Sequence, residues 1–305
     1  MEPPTNLAPP SRFDVAIVQT KPSKGRYAEN LRALGEAFAQ LGASERPPDL
    51  VSLPEGALTG YFLEGAVYDL ALSAARFADD LARTWRDACG DRAVDISSGF
   101  FENDGGTYYN SALYVHVGPT SHAIVHVHRK MFLPTYGVFD EERFLSRGRR
   151  LQAFDTRFGR AAMLVCEDIW HAIMPTIAAI KGARFLIVPS AAPGRGIEGE
   201  VELSSITRWR ELLRSSAAEH GVYLIYAGLA GFEGGKGMTG SSSIVGPRGD
   251  VQVEGPDIGA CVVRGFVDMH EGDLARASLP LLGDLQAVLP DLLLDDELPL
   301  PRTPQ

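Results

Sequence analysis

Apolar positions along the chain follow two alternating rhythms. Short apolar runs of strand length occur at "FDVAIVQT" (13–20), "VDISSGFFE" (94–102), "YNSALYVHV" (109–117), "AIVHVHRK" (123–130), "RFLIVPSA" (184–191), "VYLIYAGLAG" (222–231) and "CVVRGFVDM" (261–269). Between them the spacing turns helical. "RYAENLRALGEAFAQLGA" (26–43) puts Leu31, Leu34, Phe38 and Leu41 on one face, and further helices are expected near 70–88, 171–181 and 203–220. "DLVSLPEG" (49–56) reads as a strand cut by Pro54, and "LQAFDTRFGRAAMLVC" (151–166) as two strands joined at Phe158-Gly159. "SSSIVGPRGDVQVEG" (241–255) reads as a hairpin turning on Pro247-Arg248-Gly249-Asp250, and a helical, Pro-punctuated tail follows the last strand. Helices interleaved with strands imply an α/β fold, its sheets covered by helices on at least one face. No linker or low-complexity stretch divides the pattern. One domain over 1–305 is expected, with a core of about 12–284, a Pro-rich N-terminal tail and an acidic C-terminal one.

Composition narrows the function. Of 305 residues, 45% are hydrophobic and 22% charged, an ordinary globular balance. A formal net charge of −10 disfavours nucleic acid as a partner, because phosphate contacts need clustered Lys and Arg. The opening "MEPPTNLAPPSR" lacks the apolar segment of a signal peptide, and no apolar run approaches the roughly 18 residues of a membrane span. The three cysteines, Cys89, Cys166 and Cys261, are too few and too scattered for a disulfide framework or a CxxC metal site. The expectation is a cytoplasmic protein acting on a small molecule, with no metal, no cofactor and no membrane partner.

Chemistry gathers where strands run out. Glu55 follows "LVSLP", Lys130 follows "AIVHVHR", and Cys166 follows "AAMLV". Ligand sites in α/β folds form at the carboxyl ends of strands. A thiolate there is a nucleophile, a carboxylate can move its proton, and a cation with the N–H after the cysteine can hold an oxyanion. A helix starting just after Cys166 would favour the thiolate further. Each residue alone also has a plain structural reading: packed core thiol, turn cap, solvated basic pair with Arg129. The three together point to attack on an amide-like carbon.

The surroundings of these residues resemble the nitrilase, or carbon–nitrogen hydrolase, superfamily. "LVSLPEGALTGY" looks like its glutamate motif, "HRKMFLPTYGVFDEERFL" like its lysine motif and "RAAMLVCEDIWH" like its cysteine motif; "GSSSIVGPRGDV" matches its hairpin. The resemblance runs from about Phe13 to about Asp284. It implies a four-layer α-β-β-α sandwich, usually a homo-oligomer, with Cys166 as nucleophile, Glu55 as general base, Lys130 as oxyanion stabiliser and Glu141 as a second glutamate beside them. Glu167, Trp170 and Ser190 join as expected substrate contacts. "CEDIW" with "KMFLPTYGVFDEERF" is most similar to the glutamine amidase domain of glutamine-dependent NAD synthetases, which would set Tyr136 against the substrate. Two features depart from it. The chain ends at Gln305 without room for a synthetase domain, and "VPSAAPGRG" has Ala192 where that pattern more often has a serine. Without that hydroxyl, free glutamine is expected to be a poor substrate beside a smaller or less polar amide. A Pro-Glu pair typical of carbamoylases is absent after Cys166.

The implied activity is a cysteine-dependent amidohydrolase that releases ammonia from a small amide through a thioester. A nitrilase, an N-carbamoyl amidohydrolase and a stand-alone glutaminase stay open, and so does a non-catalytic interaction protein of the same fold. Other features carry expectations too. Alternation in "HAIVHVHRK" would put His122, His126 and His128 on one surface face near His116, without ligand spacing for metal. "GFEGGKGMTGSSS" reads as a flexible loop near the site, and Trp170 as pocket wall or core filler. "LPLLGDLQAVLPDLLLDDELPLP" reads as a tail packing on a partner subunit.

Overall fold

The computed structural model describes residues 10–195 and 203–294; the N-terminal tail before Pro10, and the acidic end of the C-terminal one, lie outside them. In chain order the elements are β1 (Arg12–Gln19), α1 (Tyr27–Gly42), β2 (Leu50–Ser52), α2 (Val67–Leu70), α3 (Ala74–Cys89), β3 (Val94–Asp104), β4 (Thr107–Val117) and β5 (His122–Arg129). There follow β6 (Ala153–Thr156), β7 (Gly159–Met163), α4 (Ile173–Ile180), β8 (Phe185–Ser190), α5 (Ser204–His220), β9 (Tyr223–Gly228), β10 (Ala230–Glu233) and β11 (Lys236–Thr239). The chain continues through β12 (Ser243–Val245), β13 (Val251–Glu254), β14 (Cys261–Asp268), α6 (Met269–Ser278) and α7 (Leu281–Leu293).

Two six-stranded mixed sheets result, ordered β14-β1-β2-β3-β4-β5 and β13-β12-β9-β8-β7-β6. The strands of the first explain the layering. In β1, Val15 and Ile17 face the second sheet while Ala16 and Val18 face α1 and α3, so both faces are apolar. Between the sheets Phe13 stacks on Phe158 at 4.2 Å and tilts against Phe185 at 5.3 Å. On the outer side Phe38 and Trp85, from α1 and α3, meet edge to face at 5.1 Å. On the far side α4 and α5 send Ala178, Trp209 and Leu213 into the core of the second sheet. The four-layer α-β-β-α sandwich expected from the sequence is the fold found.

Local departures have physical causes. The apolar run 222–231 is not one strand: it leaves the second sheet after Gly228, where a Cβ would clash with the Gly240 carbonyl oxygen. The chain then pairs as the β10–β11 hairpin, so "GFEGGKGMTG" is an ordered hairpin rather than a flexible loop. The 241–255 hairpin forms as β12 and β13, closed by Gly246 N–H donating to Asp250 O at 2.8 Å. His122 does not share a face with His126 and His128. A bulge opposite Tyr114/Val115 leaves Val125 as the extra residue in β5 and changes which side follows. His122 meets Asp79 at 3.1 Å on α3, His126 stacks on Phe154 at 4.4 Å, and His116 meets Asp95 at 2.6 Å. His128 is buried between the sheets rather than on a surface. Among the described residues no helix is long and apolar enough to cross a membrane.

Candidate active site

The expected residues converge where the two sheets meet. Glu55 lies three residues past β2, Lys130 follows β5, and both belong to the first sheet; Cys166 lies three residues past β7 in the second. Cys166 adopts φ +46°, a left-handed conformation uncommon for a residue with a Cβ, and opens a 3-10 turn, Cys166–Trp170. The elbow lifts the thiol off the end of its strand. The expected helix does not begin there, since α4 starts only at Ile173, so no helix end of its own supports the thiolate.

Lys130 and Glu55 are fully buried, and Glu141 nearly so. The Lys130 ammonium donates to Glu55 Oε1 at 3.0 Å and to Glu141 Oε1 at 2.8 Å. Asn110 Nδ2 reaches the same two oxygens at 2.6 and 3.0 Å, and the Tyr61 hydroxyl donates to Glu141 Oε1 at 2.6 Å. The other Glu55 oxygen accepts the Ala191 N–H at 2.7 Å, a bond from the end of β8. An ammonium has three protons, and two are committed here, leaving one for a ligand. The Cys166 sulfur accepts from the Ser190 hydroxyl at 3.2 Å.

These neighbours set the charges. Burial alone would lower the Lys130 pKa, but Glu141 and Glu55 outweigh it and hold the ammonium well above its usual range. Burial pushes the Glu141 carboxyl up against the pull of Lys130. Burial, with Glu55 adding to it, pushes the Cys166 thiol well above its ordinary value; Lys130, Ser190 and the Ala191 N–H act the other way. Burial therefore favours the neutral Cys166 thiol over its thiolate.

The outer residues are less closely grouped. Tyr136 is half exposed, and its hydroxyl donates to both Glu167 oxygens at 3.1 and 2.9 Å. The Arg195 guanidinium lies over the Phe139 ring at 4.7 Å and the Tyr136 ring at 5.8 Å. Ser190 is fully buried on the thiol rather than facing an open pocket, and Ala192 packs in the core cluster that includes Cys166. Trp170 is partly exposed, its edge against Trp209 at 5.0 Å, which in turn leans on Tyr226 at 4.9 Å. A cavity of about 320 Å³, lined by Tyr61, Phe62, Phe139 and Phe144, reaches the acid–amine cluster through Glu141 but not through Cys166.

Sequence reasoning missed Tyr61, Asn110, Glu233 and the pair His128–Asp168. Glu233, in the hairpin, accepts the Tyr61 and Phe62 N–H groups at 2.9–3.0 Å and so fixes the loop after Glu55. The one available signal was polarity out of place: Asn110 inside an apolar strand, and Asp168 beside a cysteine at a strand end.

The carbon-nitrogen hydrolase family model matches residues 14–270. The chain is similar to the omega-amidase NIT2 of Danio rerio, 30% identical over 251 residues that cover 79% of this chain and 83% of that protein. It is similar also to the glutamine-dependent NAD(+) synthetase of Rhodobacter capsulatus, 30% identical over 277 residues, 88% of this chain and 46% of that one. The chain thus spans about half the length of the NAD synthetases it matches. The crystal structure of a carbon-nitrogen hydrolase from Helicobacter pylori G27 has the same fold, with TM-score 0.81, 24% identity, and coverage of 93% of this chain and 99% of that one. With the match spanning most of the described sandwich, the chain belongs to the carbon-nitrogen hydrolase family of the nitrilase superfamily, hydrolases of C–N bonds other than peptide bonds.

Proposed function

We propose that this single domain is a cysteine-dependent amidohydrolase that cleaves a small amide to its acid and ammonia. The observation that carries the reading is the meeting of a buried thiol, carboxylate and ammonium from different strand ends, with one ammonium proton uncommitted. Glu55 takes the Cys166 proton as sulfur attacks the carbonyl carbon, and Lys130 with the N–H after Cys166 holds the oxyanion. Collapse returns that proton to the leaving nitrogen, ammonia departs, and a thioester remains on Cys166. Water then attacks, Glu55 takes its proton, and the acid leaves as the thiol is restored. Glu141 holds Lys130 in place, with its carboxyl in turn fixed by Tyr61 and Asn110.

The substrate is read as entering past Tyr136, Glu167 and Trp170 to reach Cys166, with Ser190 and Ala192 buried behind the thiol. A second reading, favoured by charge at the rim, is a substrate that carries its own ionic groups: Glu167 under Tyr136 could meet an ammonium, and Arg195 a carboxylate. Glutamine is one such amide, so a glutaminase feeding ammonia to a separate synthetase belongs to this reading. A panel of uncharged amides, glutamine, carbamoyl compounds and nitriles, with ammonia detection, separates them. Uncharged amides in the lead support the first reading and glutamine in the lead the second, while turnover of nitriles alone would replace both. We also read the chain as a cytoplasmic homo-oligomer, α7 exposing Leu281, Val288, Leu292 and Leu293 as a self-association face. Monomeric sedimentation at micromolar concentration would refute that.

A further inference from the structure

Lys130 and Cys166 belong to separate hydrogen-bonded ladders, so the distance between ammonium and thiol is not set by either sheet alone. Something has to fix it across the seam. Asp168, which is fully buried, sits there with both oxygens engaged. Its Oδ1 accepts the N–H groups of Met131 and Phe132, the two residues after Lys130, at 3.0 and 3.1 Å. Its Oδ2 accepts the N–H of Val165, just before Cys166, at 3.0 Å. The same oxygen meets Nε2 of His128, two residues before Lys130, at 2.9 Å. His128 is itself buried, with no partner for Nδ1 among the described residues.

We propose that Asp168 and His128 are positioning residues, a buried clamp that holds the Lys130 strand end in register with the Cys166 elbow. The clamp rests on the roles given to Lys130 and Cys166 above. Its logic is in the donor count. Four donors converge on one carboxylate, two from the segment after Lys130, one from within β5 and one from the segment before Cys166. A carboxylate is acceptor-only and can satisfy all four. An amide in its place has one oxygen and one NH2, so the NH2 would confront N–H donors, and the two segments would have to part. Displacing a reacting group by about 1 Å costs on the order of a hundredfold in rate. The tie across the seam nearest this chemistry, Glu55 to the Ala191 N–H, does not touch the Lys130 backbone and cannot replace the clamp.

A purely structural Asp168 would cap the 3-10 turn and support the fold without setting the rate. The test separates these by measuring kcat and KM per titrated Cys166 thiol, beside the melting temperature, so that misfolded protein is not counted. Asp168→Asn should lose at least about a hundredfold in kcat with KM within about threefold. His128→Leu, which removes one donor, should lose about tenfold, and His128→Gln, which can offer an N–H near the Nε2 position, should stay within about threefold of wild type. Wild-type kcat per thiol in Asp168→Asn and His128→Leu, whatever their melting temperatures, overturns the proposal; so does His128→Gln as slow as His128→Leu. If Asp168→Asn does not fold, the two histidine variants decide alone. Failure of the underlying reading looks different: Cys166→Ala, assayed in the same series, would turn over at the wild-type rate.

Discussion

Replacing Lys130 by methionine keeps most of the volume and removes the charge. Two buried carboxylates, Glu55 and Glu141, would then share the Asn110 amide with no cation between them. Removing one partner from a buried ion pair costs about 3–5 kcal/mol, because the remaining charge stays desolvated. The loss is relieved if Glu141, whose carboxyl burial already pushes up, takes a proton, so its folded-state pKa rises further above its unfolded value. The sign follows. A carboxyl whose folded pKa is raised costs nothing at low pH, where folded and unfolded chains are both protonated, and destabilises as pH climbs through the raised value. The deficit of Lys130→Met relative to wild type should therefore be small in the ordinary carboxylate range and full once pH has passed the raised value, where roughly 6–15 °C of melting temperature is expected. Adding Glu141→Gln removes one of the two charges and should recover much of that difference without restoring turnover. Activity falls for a separate reason: one lost oxyanion donor costs at least about a hundredfold in kcat. Melting curves and ammonia release from pH 5 to 8 test both parts. A deficit independent of pH would refute the charge argument, and a variant losing only affinity would reassign Lys130 to substrate binding.

The remaining expectations are more direct. Cys166→Ala should abolish ammonia release with the fold intact by circular dichroism, and Cys166→Ser should leave only traces, since a hydroxyl ionises far less readily than a thiol. In substrate-free enzyme the Cys166 thiol is held above its usual range by burial and Glu55, so its alkylation by iodoacetamide should keep rising past pH 9; a plateau near neutrality would refute this. Ala192→Ser should raise kcat/KM for glutamine relative to uncharged amides by about tenfold, and no change would remove Ala192 from the specificity argument.

The sequence conveyed the sandwich because its strands are apolar on both faces and its helices on one, a contrast that survives without coordinates. Glu55, Lys130 and Cys166 were legible because charge and thiol at the ends of apolar runs break the pattern. The bulge at Val125 was not, since one extra strand residue leaves no compositional mark yet reassigns every histidine beyond it. Asp168 was visible as a residue but not as a clamp, because three of its four donors are backbone N–H groups, which carry no side-chain signature. Nor could local spacing bring Glu233 to the Tyr61 amide, a contact across 172 residues. The elevated thiol arises from burial by groups from several elements and reverses the thiolate expected from a helix start.

The proposed chemistry requires a covalent acyl group on Cys166. The most direct measurement is intact-mass and peptide mass spectrometry of enzyme acid-quenched during turnover of its best amide. The expected result is a mass increase equal to the substrate's acyl group less one hydrogen, confined to the Cys166 peptide, removed by neutral hydroxylamine and absent in Cys166→Ala. Full turnover with Cys166 unmodified at every quench time, and ammonia still released by Cys166→Ala, would contradict it.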